Sequence, residues 1–402
     1  MQCNFRPAWL FVSLFIIFYL LSLYYYHSTS YRDPTSYFFD PHRAYEWIYS
    51  AHRIEEADAY IATVKEDDRP VSSRVHPPVV CVGIATVARP GHQYVRSTVG
   101  SLLAGMSEEE RSLIFLNILI GHTNPSIHPV FSESWLDILP DRILRYPTTG
   151  PEHDQIVAWE EGGWYRNKTI YDYTYLLKDC YDTGAEYVAM IEDDTLAVAG
   201  WFRRLVSALN SVLTKTHPQV SKRTWIYLRL FYADALLGWN SEEWSIYLFW
   251  SFAAWASLSA MMIATKRSFP KHLEFMTAGI MAAISCVCIP AAILLVFLAG
   301  RQTVFPVSSG IHEMNKYGCC TQGLVFPRSI IPPLLERADL QTDWLVDMMI
   351  ERIADRAGYQ RWAIVPPLLQ HIGATSSKGY GFDDSARHLW NFRFEKYPIM
   401  TE

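Results

Sequence analysis

The sequence predicts an α/β fold, a mostly parallel sheet covered by helices, interrupted by a transmembrane helical hairpin and preceded by an N-terminal transmembrane anchor. Three observations carry this. Val79–Thr86 (VVCVGIAT) and Leu113–Ile120 (LIFLNILI) are continuous apolar runs rich in branched residues, the mark of strands buried on both faces. Stretches with apolar residues at helical spacing alternate with such runs, which implies parallel strands joined by crossover helices. Two uncharged segments, Trp244–Thr265 and Phe275–Gly300, each exceed the roughly 20 apolar residues needed to span hydrocarbon.

The charges around the long segments set a topology. The connector 266–274 carries Lys266, Arg267 and Lys271, which favours the cytoplasmic side. A further run, Trp9–Tyr26, is preceded by Arg6 and closed by Tyr24, Tyr25 and Tyr26, an interfacial aromatic cluster. Ser28-Thr29-Ser30 makes a poor cleavage site, so an uncleaved anchor is expected. The predicted order is a cytoplasmic tail (1–8), an anchor (9–26), a luminal stem (27–78), a first part of the α/β domain (79–243), a span (244–265), a cytoplasmic loop (266–274), a second span (275–300) and a second part of the α/β domain (301–402). Arg301 alone sits against the charge bias. Pro290 is expected to kink the last span, and neither span of the hairpin carries an ionisable residue that would mark a transport path.

The 402 residues are 50% hydrophobic with a net charge of −6. Roughly 300 residues lie outside the spans, enough for one large domain or two small ones. Mild acidity without basic blocks excludes nucleic acid as a partner. Seven cysteines are too few for a disulfide scaffold. Cys3 is placed in the cytoplasm, and Cys286 and Cys288 within the last span. Cys81, Cys180, Cys319 and Cys320 fall on the luminal side, where disulfides persist. Three pairings are open, and the adjacent Cys319 and Cys320 are not expected to bridge to each other.

Along the chain, a helix is expected near Ala44–Val64 in the stem. The strand Val79–Thr86 leads through a polar loop to a helix over about Tyr94–Leu103, and Leu113–Ile120 ends at Gly121. Ile143–Tyr146 is a shorter strand followed by a Gly/Pro-rich loop. Helical spacing over Ile170–Asp182 precedes the strand Tyr187–Ile191, then a helix Trp201–Leu213 and a strand Trp225–Tyr232. After the hairpin come a strand Gly323–Phe326, helices Ser329–Ala338 and Thr342–Ala357, and a strand Arg361–Val365. Ligands of such sheets bind beyond the carboxyl ends of the strands.

The strongest chemical signal sits at one of those ends. Glu192-Asp193-Asp194 leaves the strand YVAMI directly, and three carboxylates so close repel one another unless a cation joins them. Oxygen ligands suit Mg²⁺ or Mn²⁺. Asp343, Asp347, Glu351 and Asp355 recur every fourth residue along one helix. Glu351 and Asp355 read as a charged outer face partly neutralised by Arg352 and Arg356. Asp343 lies in the first turn beside Trp344, where a ligand can reach it. His371, in LLQHIGATSS, follows an apolar stretch.

Several stretches occur together in an order that resembles a known family: VGIATVARPGHQYVRSTVGSLL, LNILIGHTNPS, Trp164-Tyr165-Arg166-Asn167-Lys168 with Asp172-Tyr173, IEDDT, CCTQGLVF, DWLVD and LLQHIGATSS. More distantly they resemble the N-acetylglucosaminyltransferase IV family, luminal enzymes of the A-type glycosyltransferase fold. With the hairpin included, the chain is similar to the Golgi N-acetylgalactosaminyltransferase family that decorates glycosylphosphatidylinositol (GPI) anchors. The likeness runs from about Val79 to Lys378, plus the N-terminal anchor.

The resemblance implies a metal-dependent, inverting transfer of N-acetylgalactosamine from UDP-GalNAc to a mannose of the GPI glycan. It also implies a Golgi membrane protein with its catalytic domain in the lumen. Asp194 and His371 are implied as ligands of Mn²⁺ (or Mg²⁺), with Glu192 and Asp193 nearer the ribose or metal-bound water. Asp343 is implied as the general base, with Asp347 as the second choice. Thr86, Arg89, Arg166, Lys168 and Asp172 are implied to face the donor, and Lys168 to help carry the charge of the leaving diphosphate. Asn167-Lys168-Thr169 is an N-glycosylation sequon, and a glycan there would crowd that donor site, so either the sequon is unused or the block lies farther away. The implied partners are GPI-anchored proteins or the GPI glycolipid, together with the bilayer. Two other readings stay open: an N-acetylglucosaminyltransferase acting on N-glycans or glycolipids, and a non-catalytic membrane protein that binds cargo or lipid.

Overall fold

The computed structural model describes residues 6–69, 77–217, 223–314, 318–338, 345–373 and 389–399. It separates into two compact units, Met1–Glu46 with Asp234–Val307, and Trp47–Ala233 with Ser308–Glu402.

The first unit holds the apolar helices. Leu10–Thr29, Asp234–Ser268 and Ala278–Ala299 are long and apolar enough to cross a membrane. The last of them is not a regular α-helix: Ala278–Ala283 and Ile289–Ala299 flank a π-helical turn at Ile284–Cys288. Pro290 explains it, because proline has no N–H to donate and its ring collides with the preceding turn. The Ser285 carbonyl in that turn accepts instead from the Trp255 indole (2.7 Å). Tyr19 of the N-terminal helix donates to the Ala291 carbonyl (3.2 Å), and Asp33 accepts from Thr303 N (2.8 Å).

The second unit is a sheet of eight strands in the order β3-β2-β1-β4-β8-β6-β9-β7, with a two-stranded ribbon β10-β5 beside it. The strands are β1 Val80–Thr86, β2 Ile114–Ile120, β3 Arg142–Leu144, β4 Tyr187–Glu192, β5 Thr195–Ala197, β6 Trp225–Arg229, β7 Gly310–Glu313, β8 Gly323–Pro327, β9 Gln360–Val365 and β10 Leu369–His371. β1 runs parallel to β2 and β4, β2 to β3, and β6 to β9; β8 is antiparallel to β4 and β6, and β7 to β9. β1 to β6 precede the hairpin and β7 to β10 follow it. One strand from beyond the hairpin, β8, therefore fills the gap between two strands from before it. Hydrogen bonding on both sides of β8 requires an even number of membrane crossings in between, and the two candidate spans supply it.

Helices cover both faces. Val95–Leu103 is buried against one layer of the core, and Tyr165–Asp182 packs Ile170, Leu176 and Leu177 against the other. Leu176 comes close to β1 at Gly83, where an added Cβ would press on Met190 Sδ at 3.0 Å and on the Leu176 side chain at 3.1 Å. Cys81 and Cys180, both fully buried, form a disulfide that ties β1 to that helix.

Four expectations are corrected. The segment read as a stem divides at Glu46: its helix, Tyr49–Ala62, belongs to the sheet unit, where buried Arg53 donates to the carbonyls of Ala197 (3.0 Å) and Ser101 (2.7 Å). The Gly/Pro-rich stretch after β3 contains the helix Pro151–Glu161, because proline fits a first helical position that needs no N–H donor. Cys319 and Cys320 do bridge to each other. The turn this needs is supplied by Cys320 in the left-handed region (φ 79°), with both carbonyls gathered by Arg229. Glu351 is not on an outer face: it pairs with buried Arg229 (3.2 Å) and Arg361 (2.5 Å), while Asp355 pairs with Arg361 (2.6 Å).

Candidate active site

The acidic triplet forms the turn between β4 and β5, and hydroxyls from the helix Val95–Leu103 hold that turn in place. Thr98 Oγ1 donates to the Asp193 carbonyl (2.7 Å), and Ala197 N donates to Ser101 Oγ (2.9 Å). β10 lies antiparallel to β5 with His371 opposite Thr195, and Ile372 N donates to the Asp194 carbonyl (2.9 Å). The ribbon thus brings a histidine from beyond the hairpin to the acids from before it.

Carboxylate oxygens of Glu192 and Asp194 and a ring nitrogen of His371 lie within 4.8 Å of one another. His371 Nε2 stands 3.6 Å from Asp194 Oδ2. The other Asp194 oxygen, Oδ1, is buried with no hydrogen-bond partner among the described residues, an arrangement that calls for an explanation such as a bound ion. Gly373 leaves that carboxylate its room: a Cβ there would fall 2.2 Å from Asp194 Oδ2. Two carboxylates and one imidazole suit a small divalent cation, so the residues fit one.

The three acids have different neighbours. Asp193 is spent on a bidentate pair with Arg89 (2.6 Å to each oxygen) and accepts from Thr86 Oγ1 (2.6 Å). Thr86 in turn meets His128 Nε2 at 3.0 Å, while His128 Nδ1 accepts from Val130 N. Nε2 is therefore the protonated nitrogen and the donor to Thr86. Burial first, then His122 and Arg89, lower the His128 pKa to about 4, so the ring stays neutral. Glu192 accepts from Thr321 Oγ1, and its backbone N–H donates to the Gln322 carbonyl (3.2 Å). Burial, then the Asp194 charge, push the Glu192 carboxyl up to about 7. Burial opposes charge on Asp194 too, but His371 and Arg89 outweigh it and hold that carboxyl below its usual range. Burial likewise works against charge on His371, and Asp194 outweighs it, so the imidazole pKa is raised.

The expected donor block is split. Thr86 and Arg89 stand against Asp193. Lys168 and Asp172 do not join them: Lys168 Nζ donates to the Gly121 carbonyl (2.8 Å), Tyr146 OH (2.6 Å) and Asp172 Oδ2 (2.9 Å). An ammonium has three protons, and here all three are engaged in a buried brace beside Gly121, which follows β2. Arg166 is exposed and Asn167 partly exposed at the start of the helix Tyr165–Asp182.

Asp343 lies outside the described residues. Asp347, half-buried in the first turn of the helix Val346–Ala357, accepts from Cys320 N (2.9 Å) and Met348 N (2.8 Å). The sequence alone gives no role to His128, Thr98, Thr321 or Gly373, although Thr98, Thr321 and Gly373 lie within the stretches that carry the family likeness.

Sheet, acidic turn and apolar helices together define a membrane-anchored α/β enzyme. The family model described as GPI-N-acetylgalactosamine transferase PGAP4 matches residues 80–370, from the first residue of β1 to Gln370 in β10, and the chain belongs to this glycosyltransferase family. No curated protein matches it.

Proposed function

We propose that the protein transfers N-acetylgalactosamine from UDP-GalNAc to a mannose of the GPI glycan, with inversion, in the Golgi lumen. The observation that carries this reading is the joining of Glu192, Asp194 and His371 across the hairpin, with Asp194 Oδ1 lacking a hydrogen-bond partner among the described residues. Asp194 and His371, with Glu192 beside them, would hold Mn²⁺ or Mg²⁺. The ion would supply positive charge against the diphosphate that leaves.

The chain's own groups do the rest. Arg89 neutralises Asp193 and fixes the loop after β1 at the place where a nucleotide meets such a sheet. His128 and Thr86 lock Asp193 in turn, so the acidic turn is rigid before substrate arrives. A carboxylate takes the proton of the attacking mannose hydroxyl; we assign this to Asp343, with Asp347, in the first turn of the helix Val346–Ala357, as the second choice. Attack opposite the leaving diphosphate turns an α-linked donor into a β-linked product.

An acceptor tethered to lipid suits an enzyme whose sheet unit joins the membrane-type unit at three points of the chain, after Glu46, after Ala233 and before Ser308. An uncleaved anchor followed by a hairpin puts both catalytic parts on the luminal side. Mass spectrometry of GPI glycans from cells lacking the protein, complemented with wild type or Asp194→Ala, tests the reading. Wild type restores the N-acetylhexosamine branch and Asp194→Ala does not. Restoration by a folded, correctly located Asp194→Ala removes the mechanism.

A further inference from the structure

We propose that the Cys319–Cys320 disulfide and Asp347 form the subsite for the acceptor sugar, a hexopyranose whose apolar face rests on the disulfide ring. The inference rests on the transferase reading above and adds to it the place of the acceptor.

Three observations converge. Both cysteines and Asp347 are partly exposed, and a sulfur of each cysteine lies within 4.8 Å of an Asp347 oxygen. A disulfide between neighbours offers a small, rigid, polarisable surface with no donor of its own. Beside it stands a carboxylate able to accept from a sugar hydroxyl. The ring is also held in register with the acidic turn. Arg229, itself braced by Glu351, donates to the Cys319 and Cys320 carbonyls; Cys320 N donates to Asp347; and Thr321, the next residue, donates to Glu192. Gly318 completes the fit, since a Cβ there would strike Glu351 Oε1 at 2.4 Å. Finally, Cys320 is the one non-glycine residue with positive φ among the described residues, a conformation that persists when its surroundings enforce it and that clusters at functional sites. The ring therefore lies one residue from the donor side and one hydrogen bond from a candidate base, where an acceptor hydroxyl must be.

The test uses the detergent-solubilised full-length protein with Mn²⁺, UDP-GalNAc and a synthetic α-mannosyl glycan of the GPI core. In Cys319→Ser/Cys320→Ser the acceptor KM rises about tenfold, while acceptor-independent UDP-GalNAc hydrolysis stays within about twofold of wild type. Thr321→Val, which keeps the ring but cuts its link to Glu192, does the reverse and weakens donor hydrolysis at constant acceptor KM. On the wild type, the mannosyl glycan, and not UDP, slows reduction of Cys319–Cys320 by a phosphine; this arm stands even if the double variant fails to fold. An unchanged acceptor KM overturns the proposal, as does equal loss of donor hydrolysis, which would make the ring only a brace for Glu192. Absence of Mn²⁺-dependent donor hydrolysis in the wild type would instead defeat the transferase reading itself.

Discussion

Two buried clusters of ionisable side chains stand at the strand ends of the sheet, and they are finished differently. Around Lys168, every proton of the ammonium is taken by Gly121, Tyr146 and Asp172. Around Asp194, the carboxylate oxygen Oδ1 has no hydrogen-bond partner among the described residues, and the absence of a side chain at Gly373 leaves room for Oδ2. The first cluster braces the fold; the second is the one proposed above to hold a divalent cation. Residue type does not separate them, since both join acids to a cation. Satisfaction of hydrogen bonds does.

This contrast can be broken from either side. Lys168→Met leaves Asp172 buried without its cation, and unfolding in urea should show a loss of about 3–5 kcal/mol. Adding Asp172→Leu should return much of that loss, and the donor KM of the surviving fold should match wild type. A donor KM that rises in the single variant would put Lys168 back at the nucleotide. Asp194→Ala should do the opposite, lowering kcat about 10²–10³-fold, as loss of a charge-stabilising group does, with little change in the unfolding midpoint. Gly373→Ala sharpens the comparison, because it adds one methyl and removes no ligand. Its Cβ displaces the Asp194 carboxylate, and a shift of that size should cost about 10²-fold in kcat/KM. Thr321→Val is the mildest change: it removes one hydrogen bond to Glu192 and should lower the rate of donor hydrolysis about tenfold.

The same contrast marks where the sequence was legible. β1, β2, β4, β6, β8 and β9 announce themselves as apolar runs because strands buried on both faces need apolar residues throughout. The edge strand β7, Gly310–Glu313, hides because half of it faces water. β5 and β10 are three residues each, too short for any periodicity. Their pairing is what sets His371 opposite the acidic turn, so the histidine could be placed only through the family likeness. Lys168 illustrates the converse. A lysine in a motif reads as a phosphate ligand, and nothing in the sequence says that Tyr146 and Gly121 have already claimed its protons. The bridge between the adjacent cysteines is hidden for a related reason: it depends on a left-handed turn gathered by Arg229, ninety residues before Cys319. The hairpin, in contrast, was plain, because hydrocarbon demands long uncharged runs.

The proposed transfer depends on a single cation centre built from residues on both sides of the hairpin. Electron paramagnetic resonance titration of Mn²⁺ into the purified protein with UDP reports on that centre. Saturable binding is expected in the wild type and should be lost in both Asp194→Ala and His371→Ala, although the two residues come from opposite sides of the membrane insertion. Undiminished Mn²⁺ binding in folded His371→Ala would contradict a shared centre.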